Sequence, residues 1–142
     1  MKQTFQQYGV FIAWVVSVTA TLTSLYFSEI LKLAPCSLCW YQRICMFPLA
    51  LILGVATYRE DHTIRLYSLP LALIGGSIAL FHYLEQKIPF LRTVVPCHVD
   101  IPCHADHLDL LDGFITIPFL SFIAFLFISI AVWNAYPTKN VE

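Results

Sequence analysis

From Tyr8 to Phe27 the chain runs for 20 residues without a charged side chain. In a helix rising about 1.5 Å per residue, such a run spans about 30 Å, the thickness of a bilayer's hydrocarbon core. Lys2 is the only charge before Glu29. The run exceeds a secretory signal core and no small-x-small cleavage site follows it, so it reads as a retained first span. Three further runs read the same way: about 40–58, 66–84 and 114–133. Charged residues make up 12% of the chain and mean hydropathy is +0.73, whereas a soluble domain carries about 25% charged residues. The expectation is an all-α integral membrane protein, a four-helix bundle forming one domain over residues 1–142 in a lipid bilayer. A net charge of −1 and the lack of a basic patch argue against a nucleic-acid partner.

Prolines and glycines punctuate the runs. Pro35 stops or redirects the chain before the second span, Pro48 is expected to kink that span, and Pro70 falls in the first turns of the third. Gly75-Gly76-Ser77 offers a smooth surface for close helix approach. Trp14 is expected to face lipid or a neighbouring helix. Trp133 and Tyr136 suit an interfacial belt. Residues 85–113 form the one long polar segment, holding three histidines (His98, His104, His107) and four aspartates.

The five cysteines fall into two pairs and one remainder: Cys36 with Cys39, Cys97 with Cys103, and Cys45. With four spans, both pairs face one compartment and both termini face the other. Lys and Arg do not choose between the sides: Lys2, Arg59, Arg65 and Lys139 stand against Lys32, Arg43, Lys87 and Arg92. Disulfide chemistry does, since disulfides persist outside the cytosol. The pairs are therefore expected on the outer face of the membrane and the termini in the cytoplasm.

Cys36-Ser37-Leu38-Cys39 opens the second span. Backbone N–H groups at a helix start favour negative charge, so thiolate is expected to be favoured there. Arg43, one turn beyond Cys39, needs a partner so close to lipid, either a thiolate or a polar head group; the bland alternative is snorkelling to the lipid surface. Cys97 and Cys103 enclose five residues, long enough for an unstrained disulfide, which alone could be a static staple. Near a second pair it becomes an exchange partner. His82 in the third span is a packed polar residue or a hydrogen-bond donor to a bound cofactor, and Glu85 can share its face. Cys45 reads as a small apolar filler. Cysteine and histidine ligands also admit a metal-binding or metal-transport protein, although the loop spacing is not that of the usual zinc frames; the expectation is no metal. A reductant working outward without quinone is a further rival.

Four spans, Pro-Cys-x-x-Cys at the start of the second, Gln42-Arg43 behind it and a second pair in the last outer loop together resemble the DsbB/BdbC group of membrane disulfide-bond formation proteins. The short form is similar to BdbC-type members. The resemblance covers nearly the whole chain. It implies a bacterial cell-membrane enzyme that reoxidises an extracytoplasmic thioredoxin-like thiol-disulfide oxidoreductase and passes electrons to a membrane quinone, menaquinone or ubiquinone. By motif position, Cys97 would be attacked by the partner with Cys103 as its mate, Cys36 would exchange with the loop pair, and Cys39 would face the quinone. Arg43 would stabilise the quinone site. Gln42 beside it, and His82 as an ionisable group within the third span, are the other candidate cofactor contacts.

Overall fold

The computed structural model describes residues 2–94 and 115–135. Four helices account for most of them: α1 (Lys2–Glu29), α2 (Ser37–Arg59), α3 (Arg65–Lys87) and α4 (Ile117–Asn134). Each is long and apolar enough to cross a membrane, and no β-strand occurs among the described residues. The helices pack in a ring, α1 on α2, α2 on α3, α3 on α4 and α4 on α1. The chain is thus a helical bundle, as its apolar runs require, because lipid offers no partner for an unpaired backbone group.

Local sequence sets the ends. Cys36 takes an extended conformation (φ −72°, ψ 172°) as the N-cap of α2, directly after Pro35. At the other end, Glu60 adopts φ 53° and its N–H donates to the carbonyl of Ala56, closing the helix. Asp61 then caps a short 3-10 turn, His62–Ile64, its carboxylate accepting from the N–H of Thr63 at 2.8 Å. Thr116 precedes α4, with Pro118 in the first turn, where no N–H is needed.

Two expectations shift. Helices α1, α2 and α3 continue beyond the expected spans at both ends, whereas α4 begins at Ile117, three residues after the expected start. Helix α3 reaches Lys87 and is followed by the 3-10 turn Pro89–Thr93, so the start of the expected outer loop is helical. Glu85 and Gln86 are buried on it, 2% and 8% exposed. Pro70 lies in the second turn of α3, among the first turns as expected. Pro48 lies inside α2, which is helical on both sides of it.

The core holds Leu49, Leu53, Phe125, Ile128 and Val132, all buried. Gly75 lets α4 come close: a Cβ there would lie 2.4 Å from the ring of Phe125 and 3.0 Å from Cβ of Cys45. This is the close approach expected of the Gly-Gly-Ser step, and Cys45 is indeed buried filler beside it. Trp14 packs on α2, its indole nitrogen 2.8 Å from where a Cβ on Gly54 would stand. Buried hydroxyls bond back to their own helices: Ser17 to Trp14, Ser68 to Ile64 and Ser129 to Phe125. Large side chains such as Leu51, Ile44 and Leu66 point outward, as lipid allows. Trp133 is exposed and lies under Arg65, 3.9 Å from ring centre to guanidinium carbon; Tyr136 is outside the described residues.

Candidate active site

Cys36 and Cys39 sit where α2 begins, one before the first turn and one within it. Both are thiols, with sulfurs 3.4 Å apart. Cys36 is buried and Cys39 is partly exposed. The Cys36 thiol is pushed up to about 12. The largest cause is its hydrogen bond to Cys39; burial adds to it, and the hydrogen bond to His82 opposes it. The expected thiolate at Cys36 is therefore overturned. In the reduced pair its proton is held in the S–H···S bond, and a buried sulfur is poorly solvated as an anion.

Helix α3 supplies His82, 2% exposed. Its Nε2 lies 3.7 Å from the Cys36 sulfur and its Nδ1 lies 3.0 Å from Nε2 of Gln42. Gln42 is itself buried, so the imidazole is clamped between α2 residues on both nitrogens. If the amide nitrogen donates to Nδ1, Nε2–H points at sulfur; with the amide turned, Nε2 accepts from the thiol. Either arrangement satisfies the chain. His82 is thus both a packed polar residue and part of the thiol site. Glu85, one turn further along α3, shares its burial.

Arg43 turns the other way, toward α1. Its Nε donates to the Ser24 hydroxyl and its Nη2 to the Ser24 carbonyl, each at 2.8 Å. The guanidinium also lies 5.4 Å from the Trp40 ring centre. The partner expected for this arginine was a thiolate or a lipid head group. Ser24 takes that place, because an α-helical carbonyl and a hydroxyl at one residue match two parallel N–H donors. Cys39 and Arg43 do share a face, as their spacing of four residues demands.

These groups border a cavity of about 640 Å³, within the usual size range for small-molecule sites. Its walls come from α1 (Val16, Ala20), α2 (Cys39, Met46) and α4 (Ala124, Phe127), and Cys36, Gln42, Arg43 and His82 all reach it. So does Thr116, 2% exposed, whose hydroxyl oxygen has no hydrogen-bond partner among the described residues. The structure thus brings together five of the seven residues singled out from sequence. Cys97 and Cys103 lie outside the described residues. Sequence reasoning missed Ser24 and Thr116. Ser24 is one of several hydroxyl residues in α1 with nothing to distinguish it, whereas Thr116, two residues before Pro118 at a helix start, carried a readable N-cap signal.

The family described as "Disulfide bond formation protein DsbB" matches residues 6–136. The chain is 52% identical over 120 residues to "Disulfide bond formation protein C" of Bacillus subtilis, covering 84% of this chain and 86% of that one. It is 47% identical over 135 residues to "Probable disulfide formation protein C 1" of Bacillus anthracis, covering 95% of each. A "Probable disulfide formation protein" of Coxiella burnetii is 37% identical over 137 residues, 96% of this chain and 92% of that one. No solved structure gives a significant match. A bundle of four membrane-crossing helices, two thiols in contact at the head of α2 and this breadth of similarity lead to one conclusion: the chain belongs to the DsbB family of multi-pass membrane disulfide-bond formation proteins.

Proposed function

We propose that the protein is a quinone-linked thiol:disulfide oxidoreductase of the bacterial cell membrane. It reoxidises a thioredoxin-like dithiol protein outside the cytoplasm. Each turnover converts a partner dithiol to a disulfide, and the two electrons and two protons released reduce a quinone to a quinol. Both termini lie in the cytoplasm and both cysteine pairs on the outer face, a placement that rests on the even number of spans and on the persistence of disulfides outside the cytosol.

The observation that carries this reading is the Cys36–Cys39 pair set in the wall of an apolar cavity of about 640 Å³. The cavity suits a ring with polar edges. Most of its lining is aliphatic or aromatic, and its polar groups converge from all four helices. The Thr116 hydroxyl, buried with no hydrogen-bond partner among the described residues, is a donor suited to a ring oxygen. Arg43, fixed by Ser24, brings fixed positive charge to the same space.

A quinone, when bound, supplies a two-electron sink. That sink must be strong, because the most oxidising dithiol proteins stand near −120 mV, and each 30 mV is worth about 1.4 kcal/mol for two electrons. The chain's own residues do the rest. Cys97 receives the partner's attack and Cys103 is its mate. Cys36, the N-cap residue of α2, exchanges with the loop pair. Cys39, in the first turn of the helix, faces the cavity, whose apolar side chains keep water from it.

The test is oxidation of a thioredoxin-like dithiol by the purified protein in detergent, with quinone removed and then restored. Turnover is expected to stop and return. Undiminished turnover in quinone-free protein would overturn the reading.

A further inference from the structure

Cys36, Cys39 and His82 offer one ligand atom each, and all three atoms lie within 4.8 Å of one another. Two sides of the triangle are measured: 3.4 Å between the sulfurs and 3.7 Å from the Cys36 sulfur to His82 Nε2. A tetrahedral zinc ion with Zn–S of about 2.3 Å and Zn–N of about 2.0–2.1 Å sets its ligand atoms about 3.8 Å (S···S) and about 3.6 Å (S···N) apart. The reduced site is close to that shape already. The third side, from the Cys39 sulfur to the His82 ring nitrogen, is no longer than 4.8 Å.

We propose that the reduced pair, together with His82, is a binding site for a thiophilic divalent cation, Zn²⁺ being the type case, and that the bound cation blocks closure of the Cys36–Cys39 disulfide. Three features support it beyond the bare thiols. The imidazole is buried and held from behind: Gln42 contacts Nδ1 at 3.0 Å, the position from which a partner orients a zinc-bound histidine. Turning the Gln42 amide, so that its oxygen in place of its nitrogen meets Nδ1–H, leaves the Nε2 lone pair facing the Cys36 sulfur. All three residues line the cavity, so the fourth coordination position faces an open space, as in zinc sites of the open, two-sulfur, one-nitrogen type.

The balance is simple. One cation displaces two thiol protons and forms two metal–sulfur bonds, with no change of oxidation state. Disulfide formation consumes the same two sulfurs, so cation and disulfide exclude each other. The site is gated by redox state: it exists only in the dithiol form. Binding itself does not depend on the function proposed above; the blocking of turnover does.

The experiment uses full-length protein in detergent, reduced and stripped with a chelator. Cys97→Ser/Cys103→Ser removes the thiols of the outer segment. Zn²⁺ is measured by equilibrium dialysis, and Co²⁺ reports the ligands through its visible spectrum. One ion per chain is expected on reduced protein, with two protons released and a tetrahedral, sulfur-bearing cobalt spectrum. Quinone-oxidised protein is expected to bind none at this site. His82→Asn, which removes a direct ligand, should weaken binding by more than about tenfold, the lower bound seen for losing a residue that only orients a ligand, and Cys36→Ser should abolish it. Because a variant can misfold, the unsubstituted reduced protein is also treated with a maleimide, and Zn²⁺ should protect both Cys36 and Cys39. Equal binding to the oxidised form, equal affinity after His82→Asn, or no protection would overturn the site. If quinone closes the disulfide equally fast with Zn²⁺ bound, the block is refuted. Cation-free protein that quinone fails to oxidise would instead refute the proposed function and leave binding intact.

Discussion

The two halves of the bundle are built to opposite specifications. In the half away from the thiols, helices touch. Gly9 lies against Ala135, with a Cβ on it only 3.1 Å from the alanine Cβ, and Gly54 lies against Trp14. At mid-height Phe125 fills the space that Gly75 leaves. In the half that carries Cys36 and Cys39, helices α1, α2 and α4 part around a cavity of about 640 Å³, and Gln42 and Arg43 bond across to neighbouring helices there. Lipid gives little hydrophobic drive to helix association, so close packing of small residues holds the first half together. The second half is then free to stay open, and an open half is where a ligand fits.

Several substitutions test that contrast, and the greatest effect belongs to the thiols. Cys36→Ala or Cys39→Ala should abolish partner oxidation in the detergent assay, as should Cys97→Ala or Cys103→Ala, whereas Cys45→Ala, in the closed half, should keep turnover. Full activity in any of the first four would remove the relay.

Next comes filling the void. Ala20→Phe projects a ring into the cavity and should cut quinone-dependent turnover by at least tenfold without lowering the thermal midpoint. A matching fall in stability would mean that the space was not there to fill.

Adding a single methyl in the closed region should do the reverse. Gly75→Ala presses on the buried Phe125 ring and should cost about 1–3 kcal/mol, the range for overpacking. Thermal unfolding in detergent measures it; an unchanged midpoint would show that the helices can part there freely.

Smaller still is Ser24→Ala. It removes the hydroxyl that accepts from Arg43 Nε but keeps the carbonyl contact. A hydrogen bond to a charged group is worth about 1.5–3 kcal/mol. With the carbonyl contact still holding the guanidinium, only part of that reaches the quinone site, so the apparent KM for quinone should rise by less than about tenfold with kcat little changed. Equal kinetics would show that Arg43 is held without it.

The subtlest difference lies within the pair. With the Cys36 thiol pushed up to about 12, iodoacetamide at neutral pH should label Cys39 first, and Cys36 should gain reactivity only as pH approaches that value. Preferential labelling of Cys36 at pH 7 would contradict the proton placement.

The helices were legible because lipid enforces a simple rule: an uncharged run of bilayer length has one stable form. The pair at the head of α2 was legible for a similar reason, since Pro35 and the onset of an apolar run mark a helix start. What could not be read was which way side chains on one helix turn. Gln42 and Arg43 are adjacent in sequence, yet one reaches α3 and the other α1. That follows from about 100° of rotation per residue combined with a packing arrangement that sequence periodicity left open. The direction of the Cys36 shift was missed for a related reason. The helix-start field was visible in the sequence, but the S–H···S contact and the burial that outweigh it depend on α3.

Helix α1 has only 11% of its membrane-crossing window buried inside the bundle, against 28–33% for the other three. It is the helix most exposed to the surrounding acyl chains, and its Ser24 anchors Arg43. A loosely gripped span meets a mismatch in hydrocarbon thickness by tilting. The arginine's placement is thereby tied to the lipid itself, so that bilayers of different chain length become a control on the site requiring no change of sequence.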